Sequence, residues 1–421
     1  RFVSTTVKIS HPSKIAKGTI NLTGSKSVSN RALIIQALCQ EDFNIENLSN
    51  SADTQTLVKL LASNNKELNA GHAGTTYRFM TAYCAVTGRD TLLSGSERMH
   101  SRPIGELVDA LKSLGAHIDY ADKEGYPPLQ ISSKKITGSK VTLKADISSQ
   151  FITALLLIAP TLTNGLEVIL ESEPVSRPYI EMTLRMMEYF EVSHTWDGLV
   201  IKIEAQNYVA KDYFVESDWS SASYLYAIAA LANESDITIH GLTDQALQGD
   251  SVISTMMTSF GIESIFSDRS VRISKTNNNS VPFYEYDFIS QPDIAQTMSI
   301  IGAGKGTSML FSGLQTLAIK ETDRTKALKK ELKKFGVSFV KMPTRFVQKS
   351  EVQYYMQEGT ATPNDDTEIE TYDDHRMAMA FAPLSLMMPL RIKDKEVVRK
   401  SYPSYWEDLE QLGFNIETLE I

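Results

Sequence analysis

The 421-residue chain is short of cysteine, of long apolar runs and of positive charge, and each shortage excludes a class of protein. Only Cys39 and Cys84 occur, each in a helix-like apolar segment. A disulfide-stapled scaffold needs more cysteines, and no Cys/His spacing suits a metal. Free thiols in a reducing compartment are expected, which points to the cytoplasm. The longest apolar runs, such as residues 154–160, fall far short of a bilayer span, and residues 1–10 show no apolar core of a secretory signal. Lys and Arg total 42 against 51 Asp and Glu, a net charge of −9 that argues against a general binder of nucleic acid or anionic membranes. A small anion held in a locally basic cleft remains compatible with it. What is present, 42% hydrophobic and 22% charged residues, fits a globular chain of two or three domains.

The stretch Gly24-Ser25-Lys26-Ser27-Val28-Ser29-Asn30-Arg31 precedes the apolar run Ala32-Leu33-Ile34-Ile35. Small residues, then a cation and hydroxyls, then an apolar run, predict loop, cap and helix. A helix start offers unpaired backbone N–H groups and partial positive charge, which suit a phosphate or carboxylate. An ordinary serine-capped helix would read the same way. A nucleotide P-loop needs Gly followed directly by Lys-Ser, and Ser25 intervenes.

Glycines closing helices recur along the chain. Leu114-Gly115-Ala116, Phe260-Gly261-Ile262, Phe335-Gly336-Val337 and Leu412-Gly413-Phe414 each end an amphipathic pattern and open a strand. Phe190-Glu191-Val192 occupies a similar place without glycine, so the sites recur about every 75 residues, as internal repeats do. Helix starts recur in step at Lys26-Ser27, Ala73-Gly74-Thr75, Ser148-Ser149-Gln150, Trp219-Ser220-Ser221, Gln291-Pro292-Asp293 and Asp373-Asp374-His375. Second helices are expected after Arg102-Pro103 and Arg177-Pro178, with proline in the first turn. Six units of helix and strand fit, three in each half, with a boundary near residues 215–218. Residues 275–280 and 357–368 read as loops.

Charged residues gather at the helix-start edge of these units. Arg98 and Arg102 flank Met99-His100-Ser101 in a loop, and Tyr372-Asp373-Asp374-His375-Arg376 heads a helix expected to run to Met388. Lys320-Glu321-Thr322-Asp323-Arg324 heads another, in which Lys320 and Arg324 would share a face and Glu321 would pair with Arg324. Lys400 follows an expected strand over residues 396–399. Lys26, Arg31, Arg102, Lys320, Arg324, Arg376 and Lys400 together would attract a ligand of several negative charges, such as a phosphomonoester. Asp293, Glu321 and His375 are the candidates for moving protons.

These motifs, all in order along the whole chain, resemble those of the 5-enolpyruvylshikimate-3-phosphate synthases. The resemblance rests on Gly24-Ser25-Lys26-Ser27 through Arg31, Ala73-Gly74-Thr75 with Arg78, Arg102-Pro103-Ile104-Gly105 and Ser148-Ser149-Gln150-Phe151. Ser176-Arg177-Pro178-Tyr179, Lys320-Glu321-Thr322-Asp323-Arg324 and Asp374-His375-Arg376-Met377-Ala378 complete it. It implies an α/β fold of two similar domains, each of three βαβαββ units, with the active site in the cleft between them. Residues 1–24 and 216–421 would form one domain and residues 25–215 the other. It implies transfer of the enolpyruvyl group of phosphoenolpyruvate to the 5-hydroxyl of shikimate 3-phosphate, with release of phosphate and no cofactor or metal. A monomer is expected, with no nucleic-acid or membrane partner. By matching motifs, Lys26, Ser27, Arg31, Ser148, Ser149, Gln150, Ser176, Tyr179, Asp293 and Lys320 would contact shikimate 3-phosphate. Lys26, Gly74, Arg102, Gln150, Arg324, Arg376 and Lys400 would hold phosphoenolpyruvate. Asp293, Glu321, Lys320 and Lys26 would be catalytic, Asp293 as the base in addition.

Three positions depart from the pattern. His72 stands where an Asn is usual, Thr316 where an Asn commonly helps bind shikimate 3-phosphate, and Trp219 in place of a small residue. The sister transferase acting on UDP-N-acetylglucosamine typically carries a loop cysteine near the arginine matching Arg102, and residues 90–102 contain none. An inactive anion-binding protein on the same scaffold is the remaining alternative, and Asp293, Lys320 and Glu321 together disfavour it. Glyphosate is expected to compete with phosphoenolpyruvate beside Gly74.

Overall fold

The structure is a computed structural model and describes residues 5–132, 135–144, 148–174, 177–276, 280–343, 352–364 and 367–419. The chain divides into two compact units, one of Arg1–Thr23 with Ser217–Ile421 and the other of Gly24–Glu216. Among the described residues, five four-stranded sheets share one pattern, a parallel pair followed by two antiparallel neighbours. In one, Phe283–Asp287 runs parallel to Ser308–Ser312, which pairs antiparallel with Tyr355–Glu358, and that in turn with Ser338–Lys341. The first unit holds three such sheets and the second two. In the second unit the third sheet is reduced to its parallel pair, Ile45–Glu46 with Tyr213–Phe214. The six-fold repeat is therefore written in the sheets, with one member cut short.

A parallel pair needs a crossover, which a helix supplies. Phe283–Asp287 reaches Ser308–Ser312 through a helix, and Glu67–Asn69 reaches Thr91–Ser94 in the same way. Two pairs are exchanged. Ile15–Asn21 precedes the helix Lys26–Leu38 in the chain, yet lies parallel to Glu234–His240. Tyr213–Phe214 precedes the helix Trp219–Leu231, yet pairs with Ile45–Glu46. This exchange makes the first unit discontinuous in sequence.

Six helices follow the expected starts: α1 Lys26–Leu38, α2 Gly74–Thr87, α3 Ser149–Ile158, α4 Trp219–Leu231, α5 Ala295–Lys305, entered through the 3₁₀ turn Pro292–Ile294 that carries the expected start, and α6 His375–Phe381. α1, α2 and α3 pack on one another in their unit, as do α4, α5 and α6 in theirs. Central helices are covered on every side, so α4 buries all residues from Trp219 to Ala230 and α3 all from Phe151 to Ile158. Ser25, Ser148, Asp218 and Asp374 cap four of these starts through side-chain oxygens that accept backbone N–H groups. Gly115, Gly261, Gly336 and Gly413 all have positive φ, and Glu191 takes the same left-handed backbone at 63°.

Several local expectations are corrected. Lys395–Lys400 is a 3₁₀-helix rather than a strand, because Asp394 at φ 50° turns the chain and Val398 is drawn inward. The helix Arg324–Lys333 starts at the Asp323 cap, so Lys320 lies outside it. Pro103 precedes the helix Gly105–Ser113 instead of sitting in its first turn. A helical turn, Glu97–His100, replaces the loop expected there. The pattern to Met388 breaks at Pro383 into α6 and a 3₁₀ stretch, Ala382–Leu386. Lys275 ends a strand, and the polar tract near residue 360 begins and ends in strands. Cys84 is free inside α2, its thiol pushed up to about 12 by burial, while Cys39 is free and half-buried at the end of α1.

Candidate active site

The first unit gathers three carboxylates around one guanidinium. Arg324, 1% exposed, donates from Nε to Asp374 at 2.7 Å, from one terminal nitrogen to Asp293 at 3.1 Å and from the other to Glu321 at 2.8 Å. Asp374, fully buried, also accepts the backbone N–H of Arg376 at 2.9 Å. The Arg376 guanidinium lies 3.1 Å from the second Asp293 oxygen, and it donates to the Tyr224 hydroxyl at 3.2 Å and to the Asp293 carbonyl at 3.3 Å. Lys320 stands 3.8 Å from Asp293, and Lys400 pairs with the other oxygen of Glu321. The Glu321–Arg324 pair expected from a shared helix thus forms with Glu321 outside the helix.

Burial works against charge on Asp293, yet Arg376, Lys320 and Arg324 outweigh it and hold its carboxyl far below the usual carboxylate range. Glu321 behaves alike, with Arg324 and Lys400 overcoming burial. Burial works against charge on Arg376, yet Asp293, with Tyr224, Asp250 and Asp218, more than offsets it and keeps the guanidinium firmly charged. Of the three candidate proton carriers, Asp293 and Glu321 are therefore ionised, and His375 is buried with its Nδ1 3.6 Å from Asp374. Behind them, Asp250 is buried and accepts a hydrogen bond from the Ser220 hydroxyl. Burial first, then the charge of Asp293, push its carboxyl up to about 7.

The second unit collects cations with less acid beside them among the described residues. Lys26, in the first turn of α1, lies 3.6 Å from Asp53. Arg31 is 3% exposed and spends its guanidinium on Thr183 (2.8 Å), the Ser27 carbonyl (2.7 Å), Thr153 (3.2 Å) and the Tyr179 carbonyl (3.3 Å). It braces the segments bearing Ser27 and Tyr179. Gln150 donates to Thr75 at 3.1 Å and accepts from Arg78 at 2.9 Å, on a helix capped by Ser148 and opened by Ser149. Gly74 opens α2 without a side-chain cap. A Cβ added there would lie 2.4 Å from the Arg102 guanidinium and 2.8 Å from that of Arg78. Glycine is what lets both cations reach an uncapped helix start.

Lys320, Glu321, Arg324, Arg376, Lys400 and Asp293 thus meet in one unit. Lys26, Ser27, Arg31, Gly74, Arg102, Ser148, Ser149, Gln150 and Tyr179 lie in the other, and Ser176 falls outside the described residues. Trp219 is fully buried against Phe266, which explains how a large residue is accommodated. Thr316 sits in a 3₁₀ turn with a hydroxyl that lacks a partner among the described residues. Arg78, Asp374, Tyr224 and Asp250 were not singled out as site residues. Arg78 and Asp374 lay inside or beside quoted motifs, whereas Tyr224 and Asp250 carry no local signal.

The family model for EPSP synthase (3-phosphoshikimate 1-carboxyvinyltransferase) matches residues 10–63 and 58–409. A Bacteroides fragilis 3-phosphoshikimate 1-carboxyvinyltransferase is 44% identical over 414 residues, covering 98% of this chain and 99% of that one. The Neisseria meningitidis serogroup B protein of the same description is 34% identical over 423 residues, covering 94% and 95%. The fold is also that of an Acinetobacter baumannii EPSP synthase structure, with a TM-score of 0.80 at 20% identity over 99% of this chain and 100% of that one. With geometry, motif order and near full-length identity in agreement, this chain belongs to the EPSP synthase (3-phosphoshikimate 1-carboxyvinyltransferase) family.

Proposed function

We propose that the chain performs the reaction for which its family is named, and that residues of both units serve it. The carboxyvinyl group of phosphoenolpyruvate passes to the 5-hydroxyl of shikimate 3-phosphate, and phosphate leaves. Addition to the enol double bond puts one proton on the methylene carbon and takes one from the attacking hydroxyl. The tetrahedral intermediate then loses phosphate and a methyl proton.

The observation that carries this reading is the pair of carboxylates, Asp293 and Glu321, held between four cations of one unit, Lys320, Arg324, Arg376 and Lys400. Asp293 takes the proton of the 5-hydroxyl, and Glu321 with Lys320 handles the protons at carbon. A carboxylate held so low is a weak base. The phosphate and carboxylate of phosphoenolpyruvate, by sharing Arg324, Arg376 and Lys400, relax that hold when catalysis needs it. Lys26 and Gln150 contact both substrates, and Gly74 and Arg102 hold phosphoenolpyruvate at the start of α2. Ser27, Arg31, Ser148, Ser149, Ser176 and Tyr179 hold shikimate 3-phosphate, with Arg31 also bracing the segments of Ser27 and Tyr179. The cations stabilise developing charge from fixed positions. Monomeric state and cytoplasmic location belong to the same proposal.

One assay separates the readings: phosphate release from phosphoenolpyruvate with shikimate 3-phosphate, with UDP-N-acetylglucosamine, and with neither. Release is expected only with shikimate 3-phosphate. Release with the nucleotide sugar would move the chain to the sister activity, and none at all would leave an anion-binding protein.

A further inference from the structure

The segment carrying Arg102 is laid against the turn carrying Gly74 by a small set of bonds. Ser96 N–H donates to the Gly71 carbonyl at 2.9 Å, and Ala70 N–H donates to the Ser94 carbonyl at 2.9 Å. Gly95 allows this approach, since a Cβ there would meet Met99 at 2.7 Å and the Gly71 carbonyl at 2.9 Å. A side-chain tie joins the same two segments: His72 Nδ1 lies 2.8 Å from Ser96 Oγ. Ser96 is also the cap of the turn Glu97–His100, accepting Met99 N–H at 3.3 Å. The chain then closes on Arg102, whose N–H donates to the Met99 carbonyl at 3.0 Å. His72, Ser96, the capped turn and Arg102 form one continuous path. It ends with a guanidinium so close over Gly74 that no Cβ fits between them.

We propose that His72 is a positioning residue for the phosphoenolpyruvate subsite, acting through Ser96 to hold Arg102 over the start of α2. The inference rests on the assignment of Gly74 and Arg102 to phosphoenolpyruvate. The imidazole leaves the substrates alone. In the tautomer with Nδ1 unprotonated, the ring accepts a hydrogen bond from the Ser96 hydroxyl, whose oxygen accepts Met99 N–H, so the cap and the tie reinforce each other. The shorter amide of Asn presents a carbonyl oxygen that can play the same acceptor part, which makes it the conservative replacement. A methyl group cannot.

The test is steady-state kinetics of His72→Ala, His72→Asn, Ser96→Ala, the His72→Ala/Ser96→Ala double variant and Arg102→Ala in the full chain. Losing one such hydrogen bond is expected to raise KM for phosphoenolpyruvate about fivefold, with kcat and KM for shikimate 3-phosphate nearly unchanged. His72→Asn keeps the wild-type value, Ser96→Ala, which loses the cap as well as the tie, is at least as impaired as His72→Ala, and the double variant is no worse than Ser96→Ala alone. An unchanged KM in His72→Ala, or equal rises for both substrates, overturns the proposal. So does a double variant whose effects simply multiply. Arg102→Ala separates the two levels. If it leaves KM for phosphoenolpyruvate alone, the subsite assignment itself falls. If it raises that KM while His72→Ala does not, only the role of His72 falls.

Discussion

At the residue scale, cations of the two units carry different duties. Arg324 pairs with Asp293, Glu321 and Asp374 while almost excluded from water, so removing it takes one buried cation from three carboxylates at once. Arg324→Ala is expected to cost about 3–5 kcal/mol, read as a lower urea midpoint. Lys26 makes one long pair at 3.6 Å, and a quarter of its side chain is exposed. Lys26→Ala is therefore expected to lower turnover at least about a hundredfold while moving stability by less than about 1 kcal/mol. Equal loss of stability in both variants would refute the distinction. Asp250 supplies a pH test. Its carboxyl is raised to about 7 in the fold, so between the unfolded value near 4 and 7 the native state binds the extra proton. Stability contributed by this residue falls as pH rises through that window, by roughly 4 kcal/mol at most. Asp250→Asn keeps an acceptor for Ser220 and cannot ionise. Its melting temperature should exceed wild type by several degrees at pH 8 and match it near pH 4. The depressed Asp293 and Glu321 work in the opposite sense, giving stability above the unfolded carboxyl range that is lost as pH falls below it.

At the element scale, what was legible was local chemistry. The starts at Ser25, Ser148, Asp218 and Asp374 could be read because a short polar side chain accepts the next turn's N–H groups, whatever surrounds it. Helix ends were legible for the same reason, through residues that tolerate positive φ. Glu191 shows that the backbone, not the glycine, is the requirement. Glu191→Gly should gain up to about 1 kcal/mol by relieving left-handed strain, less the small worth of its exposed pair with Lys211. A Cβ at Gly336 would sit 3.6 Å from Thr362 Oγ1, an ordinary contact, so Gly336→Ala should cost about 1–2 kcal/mol through backbone strain alone. Urea midpoints of the two variants should move in opposite directions. Where tertiary contacts decide, local reading failed. The β-rich segment Glu396-Val397-Val398-Arg399 forms a 3₁₀-helix after the Asp394 turn. Tyr224, in an all-buried helix, looks like core until Arg376 arrives from 152 residues away.

At the scale of the molecule, six similar units were visible in sequence, but the exchange of strands was not. Ile15–Asn21 pairs with Glu234–His240, a partner more than 200 residues distant that no spacing announces. The exchange gives each unit its own sheets and its own packed helices, and so lets a ligand act on them unequally. Most residues proposed to contact shikimate 3-phosphate lie in Gly24–Glu216, with Asp293 and Lys320 in the other unit. The three tryptophans report on both, Trp196 in the second unit and Trp219 and Trp406 in the first. Fluorine-labelled tryptophan would give three NMR reporters in the unaltered chain. Ligand at a hundred times Kd stabilises the structure that binds it by about 2.7 kcal/mol. With shikimate 3-phosphate alone, the urea midpoint of the Trp196 signal is expected to rise clearly more than those of Trp219 and Trp406. Adding phosphoenolpyruvate or glyphosate, which call on Arg324, Arg376 and Lys400, should then raise the lagging pair. If the first ligand shifts all three signals equally, the chain unfolds as one cooperative body, and the unequal division of substrate contacts proposed for the two units loses its support.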